Sequence, residues 1–96
     1  MQKAPDNKEE GIIVAEMIAG AGSFFLEKSL YEIALGHFKL ADAVLPNQGE
    51  YLNLLGITYA YLKNDQLAEE FLIRSITANP NSFQPYLNLA EMYLSW

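Results

Sequence analysis

His37 is the only histidine among the 96 residues, and the chain has no cysteine. A histidine-based metal site needs partners at helical spacing. Three residues before His37 stands Ala34, so the Glu-x-x-His pattern of carboxylate-bridged metal bundles is missing. A lone helical histidine of this kind reads as a surface or packing residue. Glu69 and Glu70 are neighbours, and successive side chains on a helix diverge by about 100°, so they do not form a paired acid–base site. They read as a solvated face, with Arg74 four residues beyond Glu70 as a surface pair. Gly20-Ala21-Gly22 has no strand before it and no Gly-Lys-Ser/Thr after it, so it reads as a close-packing segment and not as a phosphate loop. Ser23, Ser29 and Ser75 have no base visible in the sequence. The side chains therefore point to recognition, with no catalytic residue, cofactor or metal expected.

The bulk properties narrow what could be recognised. Twelve acidic and six basic residues give a net charge of −6, and the six cations (Lys3, Lys8, Lys28, Lys39, Lys63 and Arg74) are scattered. No cationic stripe is present to neutralise phosphates, which argues against nucleic acid and anionic membrane surfaces as partners. A basic or neutral polypeptide fits better. The hydrophobic fraction of 51% is high enough for a core with apolar surface left over. The polar N-terminus does not read as a secretory signal. The most apolar stretch, 11–26, is sixteen residues long and contains Glu16, too short and too charged for a membrane span that needs roughly 20 apolar residues. A cytoplasmic protein is the expectation.

The elements that must position such a surface follow from a repeat of 34 residues. Pro46 and Pro80 are 34 apart and each is followed by asparagine; Ala34 and Ala68, Gly22 and Gly56, Phe25 and Tyr59, Phe38 and Leu72, and Ala41 and Ser75 share the offset. A third copy begins, with Leu52 mapping onto Tyr86, Leu55 onto Leu89, Gly56 onto Ala90 and Tyr59 onto Tyr93. Internal periods of this length mark helical arrays. The small residues at 22, 34, 56, 68 and 90 would let helix backbones approach, and the large ones at 25, 38, 59 and 72 would fill the volume around them.

This set of positions resembles the tetratricopeptide repeat family. One copy, at 49–82, carries Leu52, Leu55-Gly56, Tyr59, Ala68, Leu72, Ser75 and Pro80. Another, at 15–48, carries Ile18, Ala21-Gly22, Phe25, Tyr31, Ala34, Phe38, Ala41 and Pro46. Residues 83–96 supply one helix of a partial third. The resemblance implies an all-α solenoid of antiparallel helical hairpins wound into a right-handed superhelix, in a single domain over 1–96. About five helices are expected: 8–28, 31–44, 48–62, 66–78 and one from Ser82 to the end. Asp65 and Ser82 are the expected caps of the last two, Asp6 with Glu9 a possible cap of the first, and residues 1–5 are expected to be disordered.

The resemblance also implies a function, the holding of another polypeptide, with the first helix of each hairpin lining a concave face. In the family register the inward positions are Glu16, Ala19, Ser23, Leu26 and Glu27, then Glu50, Asn53, Ile57, Ala60 and Tyr61, then Gln84, Leu87, Asn88, Glu91 and Leu94. Some members clamp a C-terminal carboxylate with inward lysine, arginine and asparagine. Asn53 and Asn88 stand at or near such places, but none of these fifteen positions is Lys or Arg. The expected groove, with Ala19, Ser23, Leu26, Asn53, Ile57, Tyr61, Leu87, Asn88 and Glu91 as its contacts, suits an apolar-to-basic peptide. A small bacterial secretion chaperone is an alternative reading within the same class.

The last helix is apolar on more than one face. Tyr86, Leu89, Met92, Tyr93 and Trp96 form a candidate interface, read three ways: as the cut end of a longer array, as a homo-oligomer contact, or as the seat of a partner. A structural homo-oligomer built through this helix is the alternative function from another class.

Overall fold

The computed structural model describes residues 7–96. They form five α-helices and no strand: α1 Asn7–Glu27, α2 Tyr31–Val44, α3 Gly49–Tyr61, α4 Asp65–Ala78 and α5 Gln84–Ser95. The expected disorder of residues 1–5 and the Asp6 cap lie outside the described residues. No described helix is long and apolar enough to cross a membrane.

The 34-residue period is written into the backbone as well as the sequence. Leu45 and Asn79, each before a proline, leave their helices with φ −133°, ψ 86° and φ −146°, ψ 85°. This extended conformation is the one that the proline ring imposes on its predecessor. Ser29 and Lys63, again 34 apart, both adopt φ above +60°. Around them the same closing pattern recurs: Leu30 N–H donates to Phe25 O and Asn64 N–H to Tyr59 O, both at 2.9 Å, while Ser29 and Lys63 donate to Leu26 O and Ala60 O at 3.0 Å. These paired bonds satisfy carbonyls that the ends of α1 and α3 would otherwise leave open.

Two caps differ from expectation. Asn64, not Asp65, caps α4, its side chain accepting from Leu67 N–H at 3.2 Å, and Asp65 is the first helical residue. Phe83, not Ser82, precedes α5, without a side-chain cap; Pro85 occupies the first turn, where its missing N–H costs nothing.

Packing is densest within the hairpins α1/α2 and α3/α4. A side-chain carbon added at Gly22 would lie 2.7 Å from the Phe38 ring, and one at Gly56 would lie 2.6 Å from Leu72. Glycine at these two positions is thus what lets a large residue of the following helix sit against the backbone. Phe38, Leu52, Leu55 and Leu72 are fully buried, each contributing about 1.5–3 kcal/mol by leaving water. A smaller cluster joins Ala15, Ala19, Ala41 and Tyr51. Ser75 Oγ donates to Gly49 O at 2.7 Å, tying α4 to the start of α3.

α5 rests chiefly on α4 and touches α3. Met92 is buried in the main core and Leu89 packs against it. Two small residues depart from the expected role. Gly20 is exposed with nothing near its would-be side chain, because it lies on the side of α1 away from α2. Ala90, expected at a helix crossing, is exposed because no described helix covers that side of α5. The expected Glu70–Arg74 pair gives way to other contacts: Arg74 reaches Asn47 Oδ1 at 3.5 Å and lies over the Phe71 ring. Glu69 is half-buried and accepts from Tyr93 Oη at 2.6 Å, so it is not a merely solvated carboxylate.

Candidate functional site

α3 is the axis of the site. Glu50, Ile57 and Tyr61 recur at i, i+7 and i+11, which puts them on one stripe of the helix. Glu50 stands at its start and Tyr61 at its end, about 16 Å apart at the helical rise per residue. Each end opens onto a cavity.

At the Tyr61 end, a cavity of about 540 Å³ lies between the ends of α3 and α5 and the start of α4. Ile57, Ala60, Tyr61, Leu72, Met92 and Trp96 give it apolar walls, while Lys63, Asp65, Asn88, Glu91 and Ser95 supply polar groups. Tyr61 is held by a parallel stack on Tyr31, with centroids 4.7 Å apart. Trp96 meets the Tyr93 ring edge-on at 5.1 Å.

At the Glu50 end, a cavity of about 640 Å³ is lined by Lys8, Ile12, Glu16, Glu50 and Tyr51, with the loop between α2 and α3 and the end of α4. Glu16 and Glu50 are 34 apart in sequence, so the repeat presents the same carboxylate twice. Burial first, then the negative charges of Glu16 and Glu50, push the Tyr51 hydroxyl above its ordinary pKa of 10.0. The two carboxylates bring negative charge to this end, with Lys8 on the same cavity wall. At the same end, toward the start of α5, a small cavity of about 190 Å³ is lined by Glu50, Asn53, Ser75, Asn79, Gln84 and Pro85, among others.

The expected groove residues are distributed as follows. Ile57, Tyr61, Asn88 and Glu91 come together around the cavity at the Tyr61 end. Asn53 and Asn88 meet each other: Asn88 Nδ2 donates to Asn53 Oδ1 at 3.0 Å. Asn53 is only 8% exposed. Ala19 is buried beside Ala41 and Tyr51, and Leu26 packs half-buried on the main core. Ser23 is half-buried and Leu87 exposed. Of the proposed α5 interface, Met92 and Leu89 are turned into the core, whereas Tyr86, Tyr93 and Trp96 are exposed. The Tyr86 hydroxyl donates to Pro80 O at 3.1 Å.

Sequence reasoning gave Lys63, Asp65 and Leu72 no part in the site; they come from the loop before α4 and from α4 itself. No periodicity of the first helices could point to them. Tyr51 was missed too, although its flanking glutamates repeat at 34 residues. The arrangement can offer apolar contact, amide hydrogen bonds and negative charge.

No protein-family model matches the chain, and no curated protein is significantly similar to it.

Proposed function

We propose that the chain is a tetratricopeptide-type helical repeat that holds an apolar-to-basic polypeptide segment along α3. The observation that carries this reading is the convergence of Ile57, Tyr61, Asn88 and Glu91 on one cavity with Trp96. The repetition of both the small–large contacts Gly22–Phe38 and Gly56–Leu72 and the left-handed residues Ser29 and Lys63 supports the repeat type.

The bound segment runs between the two ends of α3. A Lys or Arg side chain meets the exposed carboxylates of Glu16 and Glu50 on the cavity wall that Lys8 also lines, and an apolar side chain enters beside Tyr61 and Trp96. A span of about 16 Å corresponds to roughly five extended residues. Asn88, half-buried on the cavity wall and held by the buried Asn53, stands between as a partner for main-chain groups. An acidic segment is rejected by Glu16, Glu50 and Glu91, which is specificity by repulsion.

Trp96 is the single tryptophan, so its fluorescence reports the cavity directly. Titration with a short peptide carrying one Lys and two leucines should shift Trp96 emission, and an isosteric peptide with Glu for Lys should not. Glu50→Lys should weaken the first peptide at least tenfold. Equal binding of both peptides, or none of either, rejects the reading.

A further inference from the structure

Two exposed apolar stripes lie at opposite ends of the helix stack. On α1, Ile13, Met17, Gly20 and Phe24 follow one another at steps of 4, 3 and 4 residues, and all four are exposed, Met17 at 69%. Just before and along α5, Phe83, Leu87, Ala90 and Leu94 follow the same steps and are likewise exposed, Leu94 at 86%. The order of sizes is the same in both: large, large, small, large. α1 packs on α2, and α5 on α4 and α3, so the stripes cannot meet within one molecule.

We propose that the α1 stripe of one copy packs antiparallel on the α5 stripe of a second copy, with Gly20 against Ala90. The small residues let the backbones approach at the crossing, and Met17 and Phe24 flank it against Leu94 and Leu87.

Charge selects this pairing over self-pairing of α1. Glu9, Glu10, Glu16 and Glu27 border the α1 stripe, against one cation, Lys28 over the Phe24 ring at 5.5 Å, so two α1 stripes would bring eight carboxylates together with two cations. The α5 stripe is bordered by Tyr86, Tyr93, Gln84 and a single carboxylate, Glu91. Self-pairing of α5 would leave the α1 stripe in water, whereas the head-to-tail contact covers both. A contact between two different surfaces repeats from copy to copy, producing a ring or an open chain.

Both small positions accept a charge without disturbing the monomer. A side chain at Gly20 meets nothing within 4 Å, and Ala90 is exposed. Sedimentation velocity from micromolar to submillimolar concentration should show the unsubstituted chain growing beyond a dimer. Gly20→Glu and Ala90→Glu should each remain single chains, with helicity by circular dichroism unchanged. Mixed in equal amounts they should form a heterodimer and stop there, since each contributes one intact stripe. Met17→Lys and Leu94→Lys, at the most exposed large position of each stripe, repeat the experiment should either first variant lose its helicity. An unsubstituted chain that stays monomeric throughout overturns the proposal. So does a Gly20→Glu or Ala90→Glu chain that still self-associates alone, or a mixture that fails to pair.

Discussion

The Nδ2 group of Asn88 on α5 donates to the Oδ1 of Asn53 on α3 at 3.0 Å, and Asn53 is almost wholly buried. Removing Asn88 leaves the buried Asn53 amide without this partner, and removing Asn53 does the same to the half-buried Asn88. Asn53→Ala and Asn88→Ala are each expected to lower the stability of the chain by about 1–2 kcal/mol. A double-mutant cycle in urea should return a coupling of about 1 kcal/mol. A coupling near zero would mean that the bond does not hold α5 to α3.

Gly56→Ala is expected to destabilise by about 1–3 kcal/mol, because the added carbon would meet Leu72 and the Ala68 carbonyl. Gly56→Leu should disrupt the fold. Gly36→Ala, on α2 with open space around it, is the matched control and should stabilise by up to about 1 kcal/mol through helix propensity. Thermal melts of the three variants check the ordering.

Ser29 and Lys63 hold left-handed backbone without being glycine. Ser29→Gly and Lys63→Gly should each stabilise by about 1 kcal/mol, since the strain of a side chain at positive φ is removed. Equal gains at both sites are expected from their equivalence in the repeat.

Tyr93 gives a pH dependence with a defined sign. Its pKa is raised above 10.0, first by the hydrogen bond to Glu69, then by desolvation and by that carboxylate's charge. A group whose native pKa lies above its unfolded value contributes stability that is intact below the unfolded pKa and is lost as pH rises through the native one. The attachment of α5 to α4 should therefore hold up to about pH 10 and weaken above it. Tyrosinate absorbance followed beside Trp96 fluorescence should show this loss, and Tyr93→Phe should lack it.

The sequence was legible where its period acts on the backbone. α2 lies at 31–44 as read, and the other helix ends shift by a residue or two. The prolines at 46 and 80 end α2 and α4 for the reason stated from sequence alone. Gly22 and Gly56 proved to be contact points, whereas Gly20 and Ala90 did not: a small residue marks a close approach only if a helix lies opposite it, and the neighbour is a property of the whole stack. Asn53 and Asn88 were both singled out, yet their bond to each other was not. A pair 35 residues apart is invisible to helical periodicity, which assigns a face and says nothing of which rotamer reaches across. Asn64 took the cap from Asp65 because the turn after Lys63 ends one residue earlier than polarity suggested.

The concentration of packing within α1/α2 and α3/α4 bears on how the chain reaches this structure. Most of its contacts join residues close in sequence, so little loop-closure entropy stands between the unfolded chain and either hairpin. Folding should be fast and should begin in either hairpin. α5, attached by Met92, the asparagine pair and Tyr93, should close last and open first. Amide hydrogen exchange should find its weakest helical protection there, which makes the free energy of docking α5 the setting that governs how often the cavity beside Trp96 exists at all.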